Sequence, residues 1–137
     1  MPIAPARVSR VVALDRGAAG VVGRVAGRRW ANARFYVCEG LTPGVLLREV
    51  DRAPVLLDEE LSSADGVFMV ATEDSGAACA WAIGRACAKR GVMTAGFVLG
   101  DGFETDGAVA ALRPHARVLL PTADESDVVE VLTALRA

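Results

Sequence analysis

The chain is predicted to fold as an α/β domain, with a doubly wound, mostly parallel sheet between two helical layers. Three observations carry this expectation. Short apolar runs alternate with segments of helical composition along most of the chain. The central stretch, residues 66–100 (GVFMVATEDSGAACAWAIGRACAKRGVMTAGFVLG), reads as strand, loop, helix, strand. Such a unit crosses over right-handed and places its two strands parallel in one sheet. Its strands are nearly unbroken apolar runs, as expected when helices cover both faces.

The totals agree with this class. The 137 residues fit one domain, taken as residues 1–137. The hydrophobic fraction is 53% while aromatics are only 5%, so the core must be built from Val, Leu and Ala. A net charge of −2 argues against a nucleic-acid or anionic-membrane partner. No apolar run approaches the roughly 20 residues that span a bilayer. Residues 1–10 lack the apolar core and cleavage site of a signal peptide. Three cysteines without C-x-x-C spacing fit reduced thiols in a cytoplasmic protein.

Taken in order, residues 8–14 (VSRVVAL) form the first strand. Residues 15–20 (DRGAAG) read as a small-residue turn, and 21–26 as a short helix stopped near Gly27. Arg24, Arg28, Arg29 and Arg34 make this end basic; four arginines could bind a phosphate, but at a net charge near zero a solvated surface is the expected reading. Residues 33–38 (ARFYVC) are the second strand, rich in aromatic and β-branched side chains. Thr42-Pro43 reads as an N-cap with Pro at the first helical position, which predicts a short helix over 44–50. Residues 54–57 (PVLL) are a short strand, and Asp58-Glu59-Glu60 a solvated acidic patch.

In the central unit, residues 67–71 are a strand, 72–76 a loop and 77–90 a helix. Gly91 is the stop, with Lys89 and Arg90 in the last turn where cations suit the dipole. Residues 93–99 are the next strand. Thr105-Asp106 caps a helix running through Arg113 and ended by Pro114. A strand begins at 118–120 and is closed by Pro121. Asp124, Glu125 and Asp127 suit a helix N-terminus, and Val128, Val131, Leu132 and Leu135 recur at helical spacing.

The chemistry-bearing residues are few. His115, the single histidine, has no Cys or acidic pair beside it at ligand spacing, so no metal site is expected. No serine sits in a G-x-S-x-G elbow, and no catalytic residue is assigned. Cys79 and Cys87 lie on one helix, roughly 12 Å apart along its axis, so they cannot bridge each other; both are expected as small buried hydrophobes. Neither a P-loop nor a dinucleotide fingerprint occurs. Loops at strand carboxyl ends are the usual ligand positions in such sheets. The first offers Gly17 and Gly20, but its entrance carries Asp15 and Arg16. The second offers Glu73, Asp74, Ser75 and Gly76 at a helix N-terminus, where an anion could bind. Its two carboxylates would repel a phosphate unless a cation intervened. The alternative is that both acids cap the helix and complement its dipole.

The serial order of these segments resembles the nucleotide-binding half of the bacterial tubulin homologue FtsZ. Residues 11–25 (VVALDRGAAGVVGRV) are similar to that family's first strand, glycine-rich loop and first helix. Residues 53–61 (APVLLDEEL) resemble its third-strand region, and 64–78 (ADGVFMVATEDSGAA) the strand leading into its GGGTGTG loop. Residues 91–98 (GVMTAGFV) resemble the following strand, Phe103-Glu104 the family's Phe-Glu-Gly, and 111–121 (ALRPHARVLLP) the segment ending in Ile-Pro-Asn-Asp. The resemblance implies a three-layer, Rossmann-like domain.

The departures imply more. Asp15 and Arg16 replace glycines of the first loop, and Gly20 its nucleotide-contacting Asn. Of the GGGTGTG loop only Ser75 and Gly76 keep their type. Thr122 stands for an Asn, and the segment after Glu104 is shortened. The chain also ends where the family's central helix continues, so the acidic loop that completes GTP hydrolysis is expected to be missing. The resemblance therefore implies a degenerate domain without GTP hydrolysis, with neither GTP nor GDP as an expected cofactor and no metal. It would act through a protein partner or by self-association. The alternative is a small-ligand binder or enzyme using Asp15, Arg16, Gly17, Gly20, Glu73, Asp74, Ser75, Gly76, Glu104 and Thr122 around one crevice.

Overall fold

A strand covered on both faces must send alternate side chains into two cores, and the first strand does so. Val11 and Ala13 enter one apolar cluster, Val12 and Leu14 the other. The computed structural model describes residues 8–41, 44–49, 53–99, 106–135 and 137. Among them, seven strands form one sheet: β1 (Ser9–Ala13), β2 (Ala33–Gly40), β3 (Leu46–Glu49), β4 (Val55–Leu56), β5 (Gly66–Ala71), β6 (Met93–Leu99) and β7 (Val118–Ala123). Their spatial order is β4-β3-β2-β1-β5-β6-β7. β1 pairs in parallel with both β2 and β5, and parallel pairing continues through β6 to β7. β3 runs antiparallel to both its neighbours.

The helices are α1 (Arg16–Ala26), α2 (Leu57–Leu61), α3 (Ala77–Arg90), α4 (Asp106–Leu112) and α5 (Glu125–Ala134). α1 and α5 bury Val21, Val25, Val128 and Leu132 on one face of the sheet. α2, α3 and α4 bury Leu57, Ile83 and Leu112 on the other. The result is the expected three-layer, mostly parallel α/β arrangement. Local chemistry sets the ends: Asp124 and Asp127 form a reciprocal capping box at α5, and Gly91 closes α3 at φ 68°, a left-handed position that favours glycine.

Several local expectations are corrected. Residues 16–20 are not a turn but the start of α1, because the Asp15 side chain accepts the Ala18 N–H and caps the helix there. Residues 46–49 are a strand and not a helix. Pairing with β2, with Tyr36 opposite Glu49 and Cys38 opposite Leu47, overrides the local helix signal and buries Leu47. Thr42 and Pro43, read as that helix's start, lie outside the described residues, as does Thr105, read as a cap of α4. The acids at 58–60 open α2, where they complement its dipole. Asp58 and Glu59 are exposed, but Glu60 turns inward: it meets the buried Arg10 at 3.2 Å and accepts the Tyr36 hydroxyl at 2.8 Å. Pro121 does not end β7. It lies on the edge strand, where the β6–β7 register shifts, and a sheet tolerates proline at an edge or a bulge.

Candidate functional site

In this topology the chain leaves β1 toward β2 and leaves β5 toward β6, in opposite directions along the sheet. α1 and α3 consequently lie on opposite faces, and the ends of β1 and β5 flank the switch point at which open α/β sheets hold ligands. Asp15 sits there, 8% exposed. Its Oδ1 accepts the Ala18 N–H at 2.8 Å and the Thr72 hydroxyl at 2.5 Å. Its Oδ2 accepts the Thr72 N–H at 2.7 Å and the Glu73 N–H at 3.2 Å. One carboxylate thus gathers backbone donors from both loops, in the way a bound anion would at such a position.

The glycines around it serve close packing. A Cβ on Gly17 would lie 2.3 Å from Thr72 Oγ1, and one on Gly76 would lie 2.5 Å from the Leu14 carbonyl oxygen. Glu73 accepts the Ser75 hydroxyl at 2.6 Å. Asp74 does cap a helix, but it is α4 and not α3: its Oδ1 accepts the Ala108 N–H at 2.9 Å, with Gly107 against the carboxylate. The structure therefore joins Asp15, Gly17, Thr72 and Glu73, and turns Asp74 toward α4. Arg16 is exposed at the start of α1 and has no partner among the described residues. Gly20 lies on the exposed side of α1 near Arg24. Thr122 belongs to β7, two strands beyond β5. Glu104 and Phe103 lie outside the described residues.

A second feature escaped the sequence reading. α2 has five residues, about 7.5 Å of helix, against about 21 Å for α3. It leaves part of its face uncovered, and a groove of about 600 Å³ opens between α3 and the β3–β4 side. Val45 and Leu56 supply apolar floor; Leu41 and Trp81, 40% and 48% exposed, stand on its two walls. Arg85, Lys89 and Arg90 line it along α3, against one carboxylate, Asp58. Arg90 meets Asp58 at 3.8 Å in an exposed pair, while Arg85 and Lys89 have no ion-pair partner among the described residues. Trp81 also touches the His115 ring edge-on, with centroids 4.8 Å apart. The available signal was a tryptophan in an otherwise polar i, i+4, i+8 stripe, at 81, 85 and 89.

The cysteines divide. Cys87 is fully buried, as expected, and burial pushes its thiol up to about 12. Cys79 is half-buried and meets Cys38 of β2, whose thiol donates to the Cys79 sulfur at 2.8 Å. Among the described residues no group of three or more His, Cys, Asp or Glu could hold a metal ion. Among them, too, no helix is long and apolar enough to cross a membrane. No protein-family model matches the chain, and no curated protein matches it.

Proposed function

We propose that the chain is a non-hydrolysing, FtsZ-like domain working as a protein-interaction module, which receives an acidic, partly apolar segment of a partner in the groove along α3. The serial resemblance of residues 11–121 to that family supports the fold-level part. The Asp15 carboxylate argues against hydrolysis: it holds the donors that a nucleotide phosphate would need, and a second anion beside it would be repelled.

The observation that carries the interaction reading is Trp81, half exposed on a groove wall beside two cations that have no ion-pair partner among the described residues. Among the described residues the exposed large apolar side chains are Leu41, Trp81 and Val118, so two of the three stand at this groove. Tryptophan beside arginine is the usual make-up of a binding hot spot, and the charge balance selects an acidic occupant.

The test is a titration followed by tryptophan emission, with an amphipathic Glu/Leu peptide and its Lys/Leu counterpart. The reading expects a saturable shift with the Glu/Leu peptide alone, absent in Trp81→Phe and weakened by about tenfold or more in Arg85→Glu/Lys89→Glu. No shift at all, or equal binding of the lysine peptide, contradicts it. A dimer in sedimentation that is lost in the same double variant would replace the foreign partner with a second copy of this chain.

A further inference from the structure

Cys38 lies near the carboxyl end of β2, and Cys79 occupies the third position of α3. They are 41 residues apart in sequence and brought together by the sheet order, with sulfurs 2.8 Å apart. A disulfide needs a further approach to about 2.05 Å. We propose that Cys79 and Cys38 form a redox site, in which a hydroperoxide oxidises Cys79 and Cys38 then closes an intrachain disulfide.

The chemistry divides between the two sulfurs. The Cys79 thiolate attacks the terminal oxygen of the hydroperoxide; the O–O bond breaks, and the alkoxide or hydroxide leaves with a proton from water. Cys79 has lost two electrons and stands as a sulfenic acid. The Cys38 sulfur attacks the Cys79 sulfur; the S–S bond forms, the S–O bond breaks, and the hydroxyl leaves as water with the Cys38 thiol proton. The sum is two thiols and one hydroperoxide giving one disulfide, water and an alcohol, or two waters from hydrogen peroxide. A dithiol reductant restores the pair by exchange.

Each role has a structural basis. Cys79 is half-buried, so a small oxidant can reach it. It sits in the first turn of a 14-residue helix, where the dipole favours a thiolate. The hydrogen bond from Cys38 pulls its thiol down to about 7. In the reduced pair the same bond, then burial, pushes Cys38 up, so Cys79 is the sulfur that ionises first and meets the oxidant. Cys87 provides an internal control, since it is buried and its thiol is pushed up.

The bridge would also link the two walls of the groove, because Leu41 and Trp81 follow Cys38 and Cys79 closely in the chain. That consequence rests on the interaction reading, whereas the disulfide does not. The experiment treats the full chain, reduced with dithiothreitol and freed of it, with hydrogen peroxide. Remaining thiols are alkylated in denaturant and the products mapped by mass spectrometry. The expected product is a monomer with Cys38 linked to Cys79, Cys87 still alkylated, and full reversal by dithiothreitol. Cys38→Ser should halt at a Cys79 sulfenic acid captured by dimedone, formed at least about tenfold faster than any product at Cys87. Three free thiols after peroxide, a bridge that includes Cys87, or bridges only between chains would overturn the proposal. The wild-type mass alone decides this, whatever the variant's stability. Peptide binding measured before and after oxidation tests the groove separately.

Discussion

Replacing Asp15 with alanine should loosen the meeting point of the two central loops. Three parts make up the cost. Removing an aspartate N-cap from α1 costs about 1 kcal/mol. The Thr72 N–H, half-buried, loses a charged acceptor at 2.7 Å, and a donor left without a partner costs about 1–3 kcal/mol. The Glu73 N–H is nearer solvent and regains a water, so it contributes little. The sum is about 3 kcal/mol. At about 3–4 °C per kcal/mol for a chain of this size, Tm should fall by roughly 10 °C. Asp15→Asn should lie between, because one carbonyl oxygen survives while the amide meets donor N–H groups. Urea and thermal unfolding followed by far-UV circular dichroism measure this. An Asp15→Ala protein within about 0.5 kcal/mol of wild type would refute the cross-loop role. Thr72→Ala combined with Asp15→Ala should fall short of additivity by about 1 kcal/mol, since the two share bonds.

Other outcomes follow from the packing. Gly84→Ala places a Cβ 2.4 Å from the base of the His115 ring and should cost about 1–3 kcal/mol in urea unfolding; adding His115→Ala should return part of it, and full tolerance of Gly84→Ala would refute the close approach. Glu60→Ala leaves Arg10 buried without its carboxylate and should cost about 3–5 kcal/mol, whereas Arg10→Met/Glu60→Leu should recover much of that. The single tyrosine, Tyr36, is pushed up to about 12 by burial first and then by its bond to Glu60. Its phenolate absorbance should therefore appear near pH 12. Because the folded value is the higher one, its contribution to stability is complete below about pH 10 and is lost between about 10 and 12. A midpoint near 10 in the folded protein would contradict the buried placement.

The parts legible in sequence were those whose burial leaves a local mark. Residues 67–71 and 93–99 read as strands because cover on both faces makes them continuously apolar, and α3 read correctly because Gly91 supplies its stop. Residues 46–49 did not, because the deciding term is pairing with β2 across a connection, and the local Thr-Pro signal pointed elsewhere. The site divided in the same way. Asp15 was visible as an obstacle to a phosphate. That it gathers donors from a loop 57 residues away became visible only with β1 and β5 side by side. Asp74 read as a cap, but its helix is packed against it in space and does not follow it in the chain. Cys38 and Cys79 are in contact only because β2 and α3 meet, which spacing alone does not encode.

The chain's own carboxylate, on Asp15, holds the switch point between β1 and β5. Isothermal titration calorimetry of the full chain with GTP and with GDP, each in the presence of magnesium, tests it most directly. No binding heat is expected at micromolar nucleotide. Saturable binding of either nucleotide at low micromolar concentration would contradict it.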